Sequence, residues 1–328
     1  MLRAINGLKG NDMENRPRRA SPGVTRSRLV LEVASELVGD PAWSSKQVRV
    51  AMRPQGAANP WSPWLYASDA PDGIAEVARG ETQLAIVNPA EPLAMAIRGK
   101  GPFTEPIPLR IITVIPSRDQ FAFVVAERTG IRSLAELRDR RYPLRVMMRD
   151  QTEHSNYLAV HTVLSALGFS LGDIVSWGGS ITRHPLPPDV GAVERGEVDA
   201  FFEEGVGSWL DRAVDAGMRA LSLDEPLLTE LEGLGLRRAT FTRATHPSLQ
   251  GVQTLDFSGW PVFTHADTPD AVVEAFCRAL VARADRIPWQ GDGPLPIHRM
   301  CLDAPDTPLT APLHPAAERF LRACWYLG

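Results

Sequence analysis

Apolar residues recur in two rhythms along this chain, and the rhythms alternate. Leu29, Val30, Val33, Leu37 and Val38 in RSRLVLEVASELVG fall near the spacing of one helical face, and Gly39 can end that helix. The run QVRVAM then reads as a strand, and RPQGAANPWSPW after it as a loop, because Pro, Gly and Asn interrupt both rhythms. A helix at DGIAEVARG, a strand at QLAIVN and a helix near EPLAMAIRG follow, then strands LRIITVI and FAFVVAE in quick succession. SLAELRD predicts a short helix with Ser133 as its cap and Glu136 completing a capping box.

From Leu144 the order starts again: strand LRVMM, polar loop RDQTEHSN, helix YLAVHTVLSALG, strand DIVSW, a Gly- and Pro-rich loop, helix VGAVERG and strand DAFFE. Strand RALSL, helix EPLLTELEGLG, a long strand TLDFSGWPVFTH interrupted by Gly259 and Pro261, and the amphipathic helix PDAVVEAFCRALVARADRI complete the pattern. Strands alternating with helices predict α/β domains with largely parallel sheets.

The restart is marked by a repeated phrase, VARGETQLAIVN at 77–88 and VERGEVDAFFEE at 193–204. In each copy a helix would end on Arg-Gly, where glycine supplies a left-handed cap, and the chain would enter a buried strand at once. Equivalent junctions in two domains explain the repetition, although short matches of this kind also arise by chance. The long strand near 254–265 is the candidate for the return crossing that such a body needs.

A chain of 328 residues is long enough for two domains with separate cores. With 44% hydrophobic and 23% charged residues, a net charge of -4 and no block of one sign, it offers no footprint for nucleic acid. Cys277, Cys301 and Cys324 are odd in number, widely spaced and free of any C-x-x-C pattern. They read as packing residues, not as a disulfide framework or zinc site. No run reaches the roughly 18 to 20 apolar residues of a membrane span. Residues 1–24 carry positive charge but lack the apolar stretch of a secretory signal. As written, the chain is expected to be cytoplasmic with a flexible lead-in over 1–24, and periplasmic if its true start lies upstream.

The phrases GETQLAIVN, IRGKGPF, GIRSLAELRDRR, LSALGFSLGDI, ERGEVDAFF and APLHPAAERF occur in that order from about residue 48 onward. Together they resemble the TAXI group of solute-binding proteins, which serve TRAP-type transporters. The resemblance implies an α/β, two-lobed type II periplasmic-binding-protein-like fold with a ligand cleft between the lobes. One lobe would comprise 25–142 plus 257–328 and the other 143–256. It also implies no cofactor, TRAP membrane subunits as partners, and capture of a small carboxylate such as a dicarboxylate or an acidic amino acid. On this template the repeated phrase is one junction used in both lobes.

In open α/β sheets, ligands sit beyond the carboxyl ends of strands, where helix N-termini favour anions. Four loops meet that description: RPQGAANPW, NPAEP, RDQTEHSN and EEGVG. Arg53 and Arg149 stand at matching strand ends and could fork onto a carboxylate, or remain surface arginines. Gln55, Gly56 and Asn59 occupy the place of a Gly- and Ser-rich loop in the resemblance, although Asn59-Pro60 can simply build a turn. Trp61, Trp64 and Tyr66 could wall a pocket or fill a core. Asn88 falls at the family's contact position.

Thr152, Glu153, His154, Ser155 and Asn156 replace what the family has as a small Gly-Ser-Thr loop. Thr152 or Ser155 suits a helix cap, and Glu153-His154 adds a titratable pair. Glu203 and Glu204 depart from the family's small apolar residues. As neighbours on a strand they should point to opposite faces, so at most one would face a cleft. Glu204 could pair with a ligand ammonium, with Arg149 or with His154. His161 lies two turns beyond His154, no histidine pair has ligand spacing, and no metal is expected. The missing signal opens a second reading: a cytosolic enzyme or sensor on the same fold, for example a decarboxylase of an aromatic acid. There Arg53 or Arg149 would hold the carboxylate while His154, tuned by Glu153 or Glu204, moved a proton.

Overall fold

A computed structural model describes residues 22–39, 47–51, 64–67 and 71–324. The chain separates into two units, Met1–Lys46 and Gln47–Gly328. The first contains helix α1 (Pro22–Gly39), with Leu29, Val30, Val33 and Leu37 exposed. The site lies in the second unit, which has two halves, each built on its own sheet.

The first sheet contains β1 (Val48–Ala51), β2 (Trp64–Ala67), β3 (Leu84–Ile86) and β4 (Leu109–Ile115). The second contains β5 (Gln120–Ala126), β6 (Arg145–Arg149), β7 (Ser180–His184), β8 (Ala200–Glu203), β9 (Met218–Ala220), β10 (Arg238–Thr240) and β11 (Gln253–Asp256). A last strand, β12 (Trp260–His265), returns to the first sheet. The strand orders are β1-β2-β3-β12-β4 and β10-β11-β5-β8-β6-β7, with β9 also paired to β5. The helices of this unit are α2 (Asp72–Ala78), α3 (Glu91–Arg98), α4 (Leu134–Asp139), α5 (Ser155–Ala166), α6 (Leu171–Ser176), α7 (Val190–Glu194), α8 (Leu210–Asp215), α9 (Glu225–Leu234), α10 (Asp270–Val281) and α11 (Pro315–Ala323).

The sheets are mixed, not largely parallel. β2 and β3 are parallel, as are β6, β7 and β8, but β12 and β5 run antiparallel to the neighbours they join. These strands arrive from the opposite sheet and therefore enter head to tail. FAFVVAE, expected in the first half, is β5 of the second, paired with β8 through Phe123–Phe202 and Val124–Phe201. Its two faces explain this. Phe121, Phe123 and Val125 enter one buried cluster while Ala122, Val124 and Ala126 enter another, so both faces need cover. Leu134 and Leu137 of α4 pack into the first of these clusters, which moves 120–142 into the second half.

The repeated phrase forms the same structure twice. α2 and α7 end at Arg79 and Arg195, and Gly80 and Gly196 follow with φ of 71° and 72°. Each arginine then pairs with the glutamate after its glycine, Arg79 with Glu81 at 2.7 Å and Arg195 with Glu197 at 2.9 Å. The strands reached, β3 and β8, each lie beside the antiparallel strand of their sheet, β12 and β5.

Three local expectations change. DIVSW is helical: Ser170 and Asp173 form a reciprocal capping box that starts α6, and the strand follows at β7, whose exposed edge carries no apolar alternation. Ser133 does cap α4, but the Glu136 side chain takes the N–H of Arg132, at 2.8 Å, instead of closing a box. TLDFSGWPVFTH is two strands in different sheets, parted at Phe257–Gly259.

The halves are therefore joined by two short crossings, 116–119 and 257–259. They are bonded to each other: Phe257 N donates to Asp119 O (2.9 Å), Asp119 N to Ser258 Oγ (3.2 Å) and Gly259 N to Ser117 O (3.1 Å). Gly259 has φ of 78°, and a Cβ there would lie 2.4 Å from Pro308 Cδ. A further seam runs between α3 and the second half. Met95 of α3 enters the second half's core, Arg98 Nη1 donates to Glu232 O (2.7 Å), and a Cβ on Gly235 (φ 113°) would lie 3.0 Å from Met95 N.

Candidate functional site

At the carboxyl end of the second sheet, Arg149 ends β6 and Glu203 ends β8, a parallel neighbour. Arg149 Nε and Nη2 donate to Glu203 Oε1 at 2.9 and 2.6 Å, and Nη2 also donates to Glu204 Oε1 at 2.6 Å. The Arg149 backbone N–H reaches Glu203 Oε2 at 3.1 Å, and Asn156 Nδ2 donates to Phe202 O at 3.1 Å. All of these side chains are buried. Both carboxylates thus reach one guanidinium, contrary to the expectation from strand alternation. β8 stops at Glu203, and Gly205 in the left-handed region (φ 64°) turns the chain so that Glu204 is no longer a strand residue.

His154 lies 3.6 Å from Glu204 through Nε2, and its Nδ1 accepts the N–H of Asn156 at 3.1 Å. The cap of α5 is therefore His154, not Thr152 or Ser155. Because Nδ1 accepts, the neutral ring carries its proton on Nε2, facing Glu204. Burial, then Arg149, holds the imidazole well below its usual range. In this arrangement Nδ1 serves the α5 cap and Nε2 faces Glu204. Glu153 and Thr152 are exposed, so Glu204 and not Glu153 is the acid beside His154.

Burial pushes Glu204 up to about 8, with Asp119 and Glu203 adding to it against the pull of Arg149. The Arg149 guanidinium is raised by the two glutamates, although burial works against it. Asp119, on the first crossing, is pushed up to about 6 by burial while the N–H groups of Gln120, Gly205 and Val206 hold it down. One cation is shared among three acids, so a fork that could take a ligand carboxylate is already filled. Arg149 is a structural partner of Glu203 and Glu204 in this arrangement.

The other loops complete the picture. Asn88 is half-buried just beyond β3. Tyr66 belongs to the first sheet's core, donates to Asp72 Oδ2 at 2.6 Å and lies under Arg49, whose guanidinium is 4.0 Å from the ring centre. Trp64 is 40% exposed at the start of β2, which lies between β1 and β3. Arg53, Gln55, Gly56, Asn59 and Trp61 lie outside the described residues. Ser155 opens α5 and lines a small cavity with Pro89, Glu91 and Pro92 of the loop and first turn of α3. The cavity, about 10 Å³, is closed on the remaining sides by Met95, Leu158, Ala159, Leu236 and Phe257. A larger cavity of about 550 Å³ lies along the crossings, lined by Asp119, Asp256 and Ser258 and by Arg237, Thr240 and His246.

Sequence reasoning missed Glu91, Asp119 and Asp256. Glu91 falls in the loop NPAEP and Asp256 in the run TLDFSGWPVFTH, but neither they nor Asp119 carry a spacing that marks a site. Only the crossing geometry brings them to the seam. Among the described residues no group of three or more His, Cys, Asp or Glu is placed to hold a metal ion, and no helix is long and apolar enough to cross a membrane. Cys277 and Cys301 are buried, and burial pushes the Cys277 thiol up to about 12.

Two α/β halves on separate sheets, joined by paired crossings with strand ends facing a shared seam, define a two-lobed periplasmic-binding-protein-like fold. Residues 69–323 match the NMT1-like family, a periplasmic-binding-protein-like group, and the chain belongs to it. No curated protein matches. Solved structures with remote likeness include the alkanesulfonate-binding protein SsuA from Xanthomonas axonopodis pv. citri bound to MOPS, with 15% identity, a TM-score of 0.33, and coverage of 65% of this chain and 57% of that one. A TctC solute-binding protein from Polaromonas shows 13% identity, a TM-score of 0.35, and coverage of 65% and 68%. The glycine betaine/L-proline-binding protein ProX from Borrelia burgdorferi shows 12% identity, a TM-score of 0.35, and coverage of 62% and 63%. The chain spans less than two thirds of the length of the SsuA structures from Xanthomonas axonopodis pv. citri and Escherichia coli. Likeness at this level is too remote to carry a ligand to this chain.

Proposed function

We propose that this protein captures a small carboxylate-bearing solute, a dicarboxylate or an acidic amino acid, between its two halves, in the manner of TAXI proteins that serve TRAP-type transporters. The observation that carries the proposal is the shared cavity: the loop after β3 opens α3, the loop after β6 opens α5, and residues of both first turns line one space. Helices α3 and α5 belong to different halves, so a solute held there bridges them. Parting of the halves would admit it and closure would bury it. With the Arg149 fork occupied, the carboxylate falls to Arg53 and to the loop of Gln55, Gly56 and Asn59. On this reading the protein would work in the periplasm beside TRAP membrane subunits if its true start lies upstream, and in the cytoplasm otherwise, which cell fractionation tests.

A thermal-shift screen of mono- and dicarboxylates, amino acids and aromatic acids checks the reading, since a ligand that binds the native state raises the melting temperature with concentration. A carboxylate is expected to raise it, and Arg53→Ala to remove the rise. A panel in which no carboxylate raises it, or in which Arg53→Ala leaves the rise intact, overturns the corresponding part of the proposal. Recovery of the ligand chemically changed would replace binding with catalysis.

A further inference from the structure

Glu91 is the most anomalous side chain at the seam. It is 3% exposed, lines the cavity between α3 and α5, and neither of its carboxylate oxygens has a hydrogen-bond partner among the described residues. A carboxylate taken from water and left without a donor is costly, and a ligand that supplies the partner is one way such a group is sustained. Its surroundings do not relieve it. Burial, then the charge of the buried Asp256 on β11, pushes the Glu91 carboxyl well above its usual range, while its own backbone N–H and Arg237, which lies 3.0 Å from Asp256, offset only part of this. Asp256 Oδ1 is met by Ser258 Oγ at 2.6 Å, which leaves Oδ2 facing Arg237. Acid therefore exceeds base on this side of the seam, and Asp256 Oδ2 lacks a hydrogen bond like the two oxygens of Glu91, but of these only Glu91 lines the cavity between α3 and α5.

We propose that Glu91 anchors a primary ammonium of the solute. This rests on the solute-binding reading and narrows it from carboxylates in general to those that also carry an amine. The size of the space selects the group. About 10 Å³ is room for one water-sized head, which an –NH3+ group matches and a trimethylated ammonium exceeds. Its three N–H donors suit an acceptor-only carboxylate. A ligand carboxylate at the same point would face Glu91 as a like charge, so the solute's acid must lie away from α3.

The test uses the purified full chain and three probes: succinate, L-aspartate, which adds one ammonium to it, and propylamine, which has the ammonium without the acids. A charge-assisted hydrogen bond implies that L-aspartate binds about 10-fold or more tighter than succinate. Glu91→Gln should erase that preference while raising the melting temperature of the unliganded protein, because the variant removes a buried unpaired acid. The comparison of probes on the unmodified chain stands even if the variant misfolds. Succinate binding as tightly as L-aspartate would overturn the ammonium anchor and leave the carboxylate reading intact. A shift with propylamine alone, lost in Glu91→Gln, would support the anchor and overturn the carboxylate reading. Preference for L-aspartate that survives Glu91→Gln would make Glu91 a hydrated structural acid, and no shift with any probe would overturn both.

Discussion

Replacing Glu204 with Gln tests the electrostatics of the buried cluster directly. In the native protein burial holds Glu204 up near 8 from an ordinary value of 4.5, despite Arg149 Nη2 at 2.6 Å. A group raised on folding contributes stability that is fully present below its unfolded pKa and is lost as pH climbs through the folded one. The window therefore runs from about pH 4.5 to about pH 8. At ~1.4 kcal/mol per pH unit the full span corresponds to about 5 kcal/mol. Asp119, Glu203, His154 and Arg149 all face Glu204, and Asp119 titrates with it, so the measurable change is on the order of a few kcal/mol. Urea unfolding followed by tryptophan fluorescence, with Trp209 bonded to the Glu204 carbonyl at 2.8 Å, provides the assay. At pH 5 the wild type and Glu204→Gln should agree within about 1 kcal/mol, since a protonated glutamate and glutamine are alike. By pH 9 the variant should be the more stable by a few kcal/mol. A wild type that instead gains on the variant as pH rises would show that Arg149 prevails over burial, and the reasoning would fail.

Arg149→Met should destabilise the protein by about 3 kcal/mol or more at pH 8, because it strands two buried glutamates, and a urea titration would show it even without ligand. Gly259→Ala should cost more than about 2 kcal/mol, from the left-handed backbone and the contact with Pro308, as measured by the same titration. His154→Ala removes the α5 cap and should cost about 1 kcal/mol at pH 8 and less toward pH 6, because folding holds the ring neutral while the unfolded chain takes up a proton there. Gly235→Ala should weaken the seam at Met95, and limited proteolysis of the unliganded chain should then cut near α9 sooner.

What the sequence made legible was the local grammar. Helix-glycine-strand junctions at Gly80 and Gly196, the β6 and α5 boundaries, and the gathering of Arg149, His154 and Glu204 near one sheet end all follow from pattern and spacing. What it hid were effects of topology. β5 reads like its neighbour β4 in sequence, but the chain crosses between them in four residues, which no periodicity marks. The short apolar run in DIVSW suits strand and helix alike, and the capping box of Ser170 and Asp173 decides it. From its place at a strand end, Arg149 could be a ligand fork or a surface arginine, and it is buried against two glutamates instead. That Glu203 and Glu204 fill its fork depends on a left-handed turn at Gly205, visible only in three dimensions.

The paired crossings have a mechanical meaning. Two short backbones laced together by hydrogen bonds at Phe257, Asp119 and Gly259 behave as a laminated leaf spring. Bending the pair about an axis through 117–119 and 257–259 leaves the lacing intact, whereas sliding one strip past the other breaks it. For the capture proposed above, these crossings would favour bending over sliding, and open and shut forms should then be related by a single rotation. Scattering profiles collected across a ligand titration should then interpolate between two end states, with no third shape between them.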